Sequence, residues 1–258
     1  MIASDLLKTE DITIINARQI GATCFREVTM TIGKLGQSVL NPSRKLTIRT
    51  VRNTEDNDSM TLFCACDPIM FRGITFLMHE KKGRLSPLDI HLFIPYGLAL
   101  VRKVDEDRRG EGLLGSDFGY EDLRTWQNLE GLNWELKNFD VGTFYVYEAE
   151  WVAGQTPSSI EWHRQRVWIS KTDLTIIKVE YFKNYGTEAF RVLMIPEYKF
   201  VDGILIPARM QMQNFHSAHE TTISLVHAWH GRPVDRDMFQ PQKLKEARKY
   251  LGELRSQG

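Results

Sequence analysis

A mainly β protein built on one long antiparallel sheet is what this sequence predicts, and three observations predict it. Apolar residues recur at every second position in segment after segment, a period that gives a strand one greasy and one wet face. Turn-forming clusters such as NPSR, NTEDND, EKKGRLSP, KNYGTE and VDG cut the chain at intervals of about ten residues, the spacing of sheets and barrels rather than of βαβ units. Helical pattern is confined to three short places.

Taken in order, SDLLKTEDITIINAR predicts a first helical segment with Ser4 as its cap. In EVTMTIGK, Val28, Met30 and Ile32 share a strand face. TLFCACDP reads as a strand that points Cys64 and Cys66 to one side, about 7 Å apart. That spacing disfavours a bond between them, so the cysteines read as buried thiols, with pairing of one to Cys24 as the alternative. GITFLMHE groups Ile74, Phe76 and Met78, and LDIHLFIP groups Ile90, Leu92 and Ile94. The charged run VRKVDEDRRGEG leads into GLLGSDFGYEDL, residues 112–123. There glycines permit a sharp turn, Ser116 or Asp117 can cap, and Glu121 and Asp122 suit the start of a helix dipole. The stretch therefore predicts a strand-to-helix switch, with Asp117, Glu121 and Asp122 capping the helix or pairing with Arg102, Arg108 or Arg109.

Further along, Tyr145, Tyr147, Ala149 and Trp151 share a parity in FYVYEAEWV, and Ile177, Val179 and Tyr181 do so in LTIIKVEYFK. ILIPARMQMQNF is the clearest strand, with Ile204, Ile206, Ala208, Met210 and Met212 on one face and Arg209, Gln211 and Gln213 on the other. QPQKLKEARKYLGELRSQG predicts a closing helix. Together these give about eleven strands in a single domain, residues 1–258, with short N-terminal and C-terminal helical segments.

The 33 basic residues balance 33 acidic ones without a single-sign block, which excludes a nucleic-acid partner. No apolar run reaches the roughly 18 residues of a membrane-spanning segment. No GxSxG, HExxH, phosphate loop or dinucleotide fingerprint occurs, so the chain reads as a non-enzyme without a cofactor. Strand parity separates His216 and His219 from His227 and His230, which argues against a metal site. Met194, Met210 and Met212 on adjacent strands, with aromatics such as Phe76, Tyr147, Trp151 and Trp168, suit either an adaptable cavity wall or an ordinary core.

GSDFGYEDL resembles the signature of the outer-membrane lipoprotein-sorting proteins, the LolA-like carriers, through Gly115, Ser116, Asp117, Phe118, Tyr120 and Asp122. RGITFLM, FIPYGLALVRKV, VWISKTDLTIIKVEYFKNYG, YKFVDGILIPARMQMQN and HETTISLVHAWHGRPVDRDMFQPQKL resemble further segments of that family, in order. The resemblance implies a strongly curved, incomplete antiparallel β-barrel of about eleven strands, with helices covering its concave side and an apolar cavity between. It implies a periplasmic carrier that shelters a lipid or a lipoprotein acyl chain bound for the outer membrane. This chain carries no export signal, so that location assumes the signal has been removed. Cavity candidates are Phe76, Met78, Leu92, Tyr147, Trp151, Trp168, Met194, Met210 and Met212. The alternative is an envelope adaptor that docks a membrane transporter or another envelope protein through the sheet rim.

Overall fold

The computed structural model describes residues 23–55, 58–81, 88–124, 132–137, 142–154, 156, 160–183 and 186–256. The helix predicted near Ser4 lies outside them. Six strands come first: β1 (Thr23–Lys34), β2 (Arg44–Glu55), β3 (Asp58–Asp67), β4 (Thr75–Lys81), β5 (Asp89–Phe93) and β6 (Val101–Lys103). Seven follow a long connection: β7 (Leu132–Lys137), β8 (Phe144–Trp151), β9 (Arg164–Ser170), β10 (Ile176–Phe182), β11 (Arg191–Val201), β12 (Ile204–Asn214) and β13 (His219–His230).

All thirteen belong to one antiparallel sheet in the order β6-β5-β4-β3-β2-β1-β13-β12-β11-β10-β9-β8-β7. The sheet is not closed into a barrel: β6 and β7 are its two margins. Each half is a simple meander, and the halves join where β1 pairs β13, from Cys24 opposite His230 to Lys34 opposite His219. Local chemistry explains the hairpins. Asp202 and Gly203, at φ 48° and 79°, form the two-residue turn between β11 and β12, a conformation that Asp-Gly adopts readily.

Alternation sorts the side chains into two apolar layers. One contains Met30, Ile32, Leu46, Ile48, Phe63, Phe76, Met78, Ile90, Tyr147, Val167, Val179, Met212 and Ile223, drawn from both halves of the sheet. The other contains Phe25, Val51, Leu62, Cys64, Leu77, Phe93 and Trp229, on the reverse face of the first half and β13. The α-helix Ala247–Ser256 covers this second face with Ala247, Leu251 and Leu254, whose spacing makes one helical stripe. Trp229 fixes it there by donating from Nε1 to the Leu254 carbonyl at 3.2 Å while stacking on Phe25 at 5.6 Å.

Three expectations change. The described residues form thirteen strands rather than about eleven, and among them the α-helix lies on the face opposite the larger layer and none covers that layer's side. A bulge between Ile176 and Lys178 puts Ile176, rather than Ile177, in the layer with Val179 and Tyr181. Cys24, Cys64 and Cys66 are free, buried thiols.

Glu27 ties the helix to β1 and β2. Burial pushes its carboxyl up, but donation from Arg49 Nε at 2.6 Å and Arg255 Nε at 2.8 Å outweighs burial and holds it below its usual 4.5. A folded value below the unfolded one gives stability that is present above pH 4.5 and is lost as pH falls through the folded value. Glu27→Gln is therefore expected to flatten the acid limb of a thermal-stability profile, and a limb of unchanged slope would remove this role from Glu27.

Candidate functional site

The strand order poses a problem that the chain must solve between β6 and β7: it has to pass from one margin of the sheet to the other. The described part of this connection, residues 104–124, lies across the face that carries the larger apolar layer. Leu113, Phe118 and Tyr120 of this crossing are buried in that layer. Among its described residues the crossing carries three three-residue 3₁₀ turns, Glu106–Arg108, Leu113–Gly115 and Glu121–Leu123, and the last two stand where the α-helix was predicted. Leu114 and Gly115 both have positive φ, 53° and 77°, which no continuous right-handed helix tolerates. Gly112 is obligatory for a different reason: a Cβ there would lie 2.0 Å from the Ser116 carbonyl oxygen.

Polar contacts pin the described part of the crossing from Leu114 to Leu123. Arg44 Nη1 donates to the Leu114 carbonyl at 2.6 Å, and Arg52 Nη2 donates to the Leu123 carbonyl at 2.9 Å. Asp117 caps no helix. Its N–H donates to Thr221 Oγ1 at 2.9 Å, and the Thr221 hydroxyl donates back to its carboxylate at 2.7 Å. Burial pushes the Asp117 carboxyl above its usual value, with the Thr221 bond opposing. The expected arginine partners lie elsewhere, Arg108 on Glu111 and Arg109 on Glu106. Asp122 is the principal anchor: it accepts from Gly119 N–H at 2.8 Å and from Arg191 Nη2 at 2.7 and 2.9 Å, with both side chains nearly buried.

These contacts also reveal the shape of the sheet. Tyr120 sets its ring edge-on against Phe76 of β4 at 5.3 Å, and two residues later Asp122 grips Arg191 of β11. β4 and β11 are separated by β3, β2, β1, β13 and β12. Six spacings of about 4.8 Å would place them about 29 Å apart in a flat sheet. One short stretch touches both because the sheet curls around it.

Between the crossing and the sheet lies a cavity of about 110 Å³. Its walls come from β1 through Val28 and Met30, β2 through Ile48, β3 and β4 through Phe63 and Phe76, β12 through Ala208 and Met210, and β13 through Ile223 and Leu225. Leu113 and Leu123 of the crossing roof it. Cys24, Thr50, Thr61, Arg26 and Arg52 line it as well.

Of the nine residues proposed for a cavity, Phe76 and Met210 line this one. Met78, Leu92, Tyr147 and Met212 lie in or against the same apolar layer without reaching the cavity. Trp151 is buried against Trp162 at 5.2 Å. Trp168 alternates with the buried Val167 and Ile169 and meets the Lys178 ammonium at 5.2 Å instead, and Met194 is exposed. Sequence reasoning missed Arg26 and Arg52, although Arg26 shares the parity of Val28 and Met30; a charge on an apolar face was the available signal. Among the described residues no group of His, Cys, Asp or Glu is placed to hold a metal, and no helix is long and apolar enough to cross a membrane.

A family model described as "-like: Uncharacterized protein" matches residues 57–246, most of the chain. No curated protein matches it. Among solved structures, a DUF1329 family protein from Desulfovibrio piger superposes with TM-score 0.78 at 18% identity, covering 91% of this chain and 96% of that one. An outer membrane lipoprotein-sorting protein domain from Vibrio parahaemolyticus gives 0.75 at 20%, covering 90% and 95%. A LolA superfamily protein from Nitrosomonas europaea gives 0.65 at 14%, covering 91% and 98%. None of these likenesses supports a membrane-transporter partner. The chain therefore belongs to the family that this model describes, and its fold is that of the LolA-like lipoprotein-sorting proteins, as the GSDFGYEDL resemblance implied.

Proposed function

We propose that this protein is a non-enzymatic periplasmic carrier that shelters a lipid or lipoprotein acyl chain between its curled sheet and the crossing segment. The observation that carries the reading is the apolar cavity beneath Leu113 and Leu123, on the side toward which the sheet curls. An alkyl guest gains about 0.8 kcal/mol for each CH₂ taken out of water, so a dry, adaptable groove is sufficient chemistry for a carrier. Met30 and Met210 supply the adaptability. The lipoprotein-sorting description of the Vibrio protein supports the same reading by likeness of fold.

Size sets a condition. A cavity of 110 Å³ is smaller than the roughly 150 Å³ apolar void that accepts benzene, so a long tail enters only if the roof lifts. In this reading the crossing is held down by a few polar contacts, from Arg44, Arg52, Thr221 and Arg191, that a bound chain displaces in part.

The test is titration of the purified protein with a fluorescent fatty-acyl probe, together with mass spectrometry of lipid extracted from native material. Saturable binding at one site and co-purifying lipid are expected. Their joint absence would remove the carrier function. A docking module is the second reading, favoured by the exposed apolar patch of Ile69, Met70, Leu98 and Leu100, where Tyr96 links the two loops by donating to the Ile69 carbonyl at 2.6 Å. It predicts capture of an envelope protein through this rim by a chain that holds no lipid.

A further inference from the structure

Strand register gives the cavity a direction. Across β1, β2 and β3, Cys24, Arg52 and Thr61 form one row, and Arg26, Thr50 and Phe63 the next. The following row pairs Val28 with Ile48, and Met30 lies beyond it. Hydrogen-bonding and charged groups are thus gathered at one end and hydrocarbon at the other, with Arg26 and Met30 four residues, or about 13 Å, apart along the strand.

The polar end is unbalanced. Two guanidinium groups line the cavity, and no carboxylate does so among the described residues. Arg52 is engaged, its Nε donating to Thr61 Oγ1 at 2.7 Å and its Nη2 to the roof at Leu123. Glu80, the acidic side chain whose field reaches Arg52, sits 4.0 Å from Arg124. Arg26 differs from both. Its Nε and Nη2 are buried, with no hydrogen-bond partner among the described residues. Burying guanidinium donors without an acceptor is costly, and their planar fork matches the two oxygens of a carboxylate or phosphate.

We propose that the cavity binds an anionic amphiphile, whose carboxylate or phosphate head pairs with Arg26 and whose alkyl chain runs along Val28, Met30 and Ile223 toward the roof. The assignment rests on the carrier reading and narrows it to ligands with a negative head. It also gives Arg26 a reason to stand on an otherwise apolar strand face: the unpaired donors are completed by the guest. Removing the guanidinium from the empty protein is expected to leave folding intact, because an apolar side chain of similar length suits the same site.

The experiment compares dodecanoate, dodecyl phosphate and the neutral dodecanol by titration calorimetry on the full chain and on Arg26→Met. In the wild-type protein one or both anionic probes are expected to bind roughly tenfold to hundredfold more tightly than the alcohol, the range of a hydrogen bond to a charged group. A preference for dodecanoate alone identifies a fatty carboxylate, and one for dodecyl phosphate a lipid phosphate. Arg26→Met is expected to melt no lower than wild type and to lose the preference while keeping its affinity for dodecanol; Arg26→Lys is expected to recover part of it. Dodecanol bound as tightly as both anions, or a preference that survives in Arg26→Met, would overturn the head-group assignment and leave the carrier standing. Absence of binding by all three probes would overturn both. Inorganic phosphate bound as tightly as dodecyl phosphate would show a free-anion site, and would also overturn the proposal.

Discussion

Asp122→Ala is expected to lower stability by about 3 to 5 kcal/mol, because it leaves Arg191 buried without its counter-charge. The guanidinium lies over the rings of Tyr181 and Phe190, at 4.9 and 5.9 Å, and is nearly buried, so solvent has little access to replace the lost carboxylate. The same change removes the acceptor of the Gly119 N–H, so the turn that aims Tyr120 at Phe76 loosens too. At about 2 to 4 °C per kcal/mol for a chain of this size, the melting temperature should fall by roughly 6 to 20 °C. Denaturant unfolding of Asp122→Ala, Arg191→Leu and the double variant decides the cause. If the loss comes from an orphaned charge, the double variant will be clearly more stable than Asp122→Ala alone. A loss under about 1 kcal/mol in Asp122→Ala would mean that the crossing is held chiefly by its apolar residues.

Phe76→Ala is the second large effect. Phe76 is almost fully buried, stacks on Phe63 at 4.3 Å, takes the edge of Tyr120 and forms part of the cavity wall. Truncating a core phenylalanine costs about 3 to 5 kcal/mol, through lost transfer energy and the void left behind. Here the void would open directly onto the cavity, which makes the variant informative about binding as well as folding. At a temperature where it remains folded, Phe76→Ala is expected to accept a bulkier alkyl probe than wild type does. A stability loss without any change in the size of guest accepted would place Phe76 in the supporting core and away from the guest.

Much of the sheet was legible because alternation is a local property. The parity of Ile206, Ala208, Met210 and Met212 correctly gives the inward face of β12, and Asp202-Gly203 marks its hairpin. Irregularities defeat the same logic: the bulge beside Ile177 shifts the face by one residue, and no composition signal announces it. The crossing was misread for a related reason. Capping residues and carboxylates spaced as at a helix start occur in GSDFGYEDL, but positive φ at Leu114 and Gly115 diverts them into turns, where Asp117 meets Thr221 and Asp122 meets Arg191. Those partners stand 104 and 69 residues away, beyond the reach of any local pattern. Trp168 and Met194 show the limit of residue type as a guide: both suit a cavity wall by chemistry, yet neither lines the cavity.

The pairing of β1 with β13 has a consequence for biogenesis. The seam at the centre of the sheet joins the first and the last of the described strands, so it cannot form before β13 has been synthesised. Until β13 emerges, β1 and β12 each present a long row of unsatisfied amides, the geometry that invites association with other chains. Such a protein depends on timely completion of synthesis, and C-terminal truncation products are expected to precipitate rather than accumulate as folded halves.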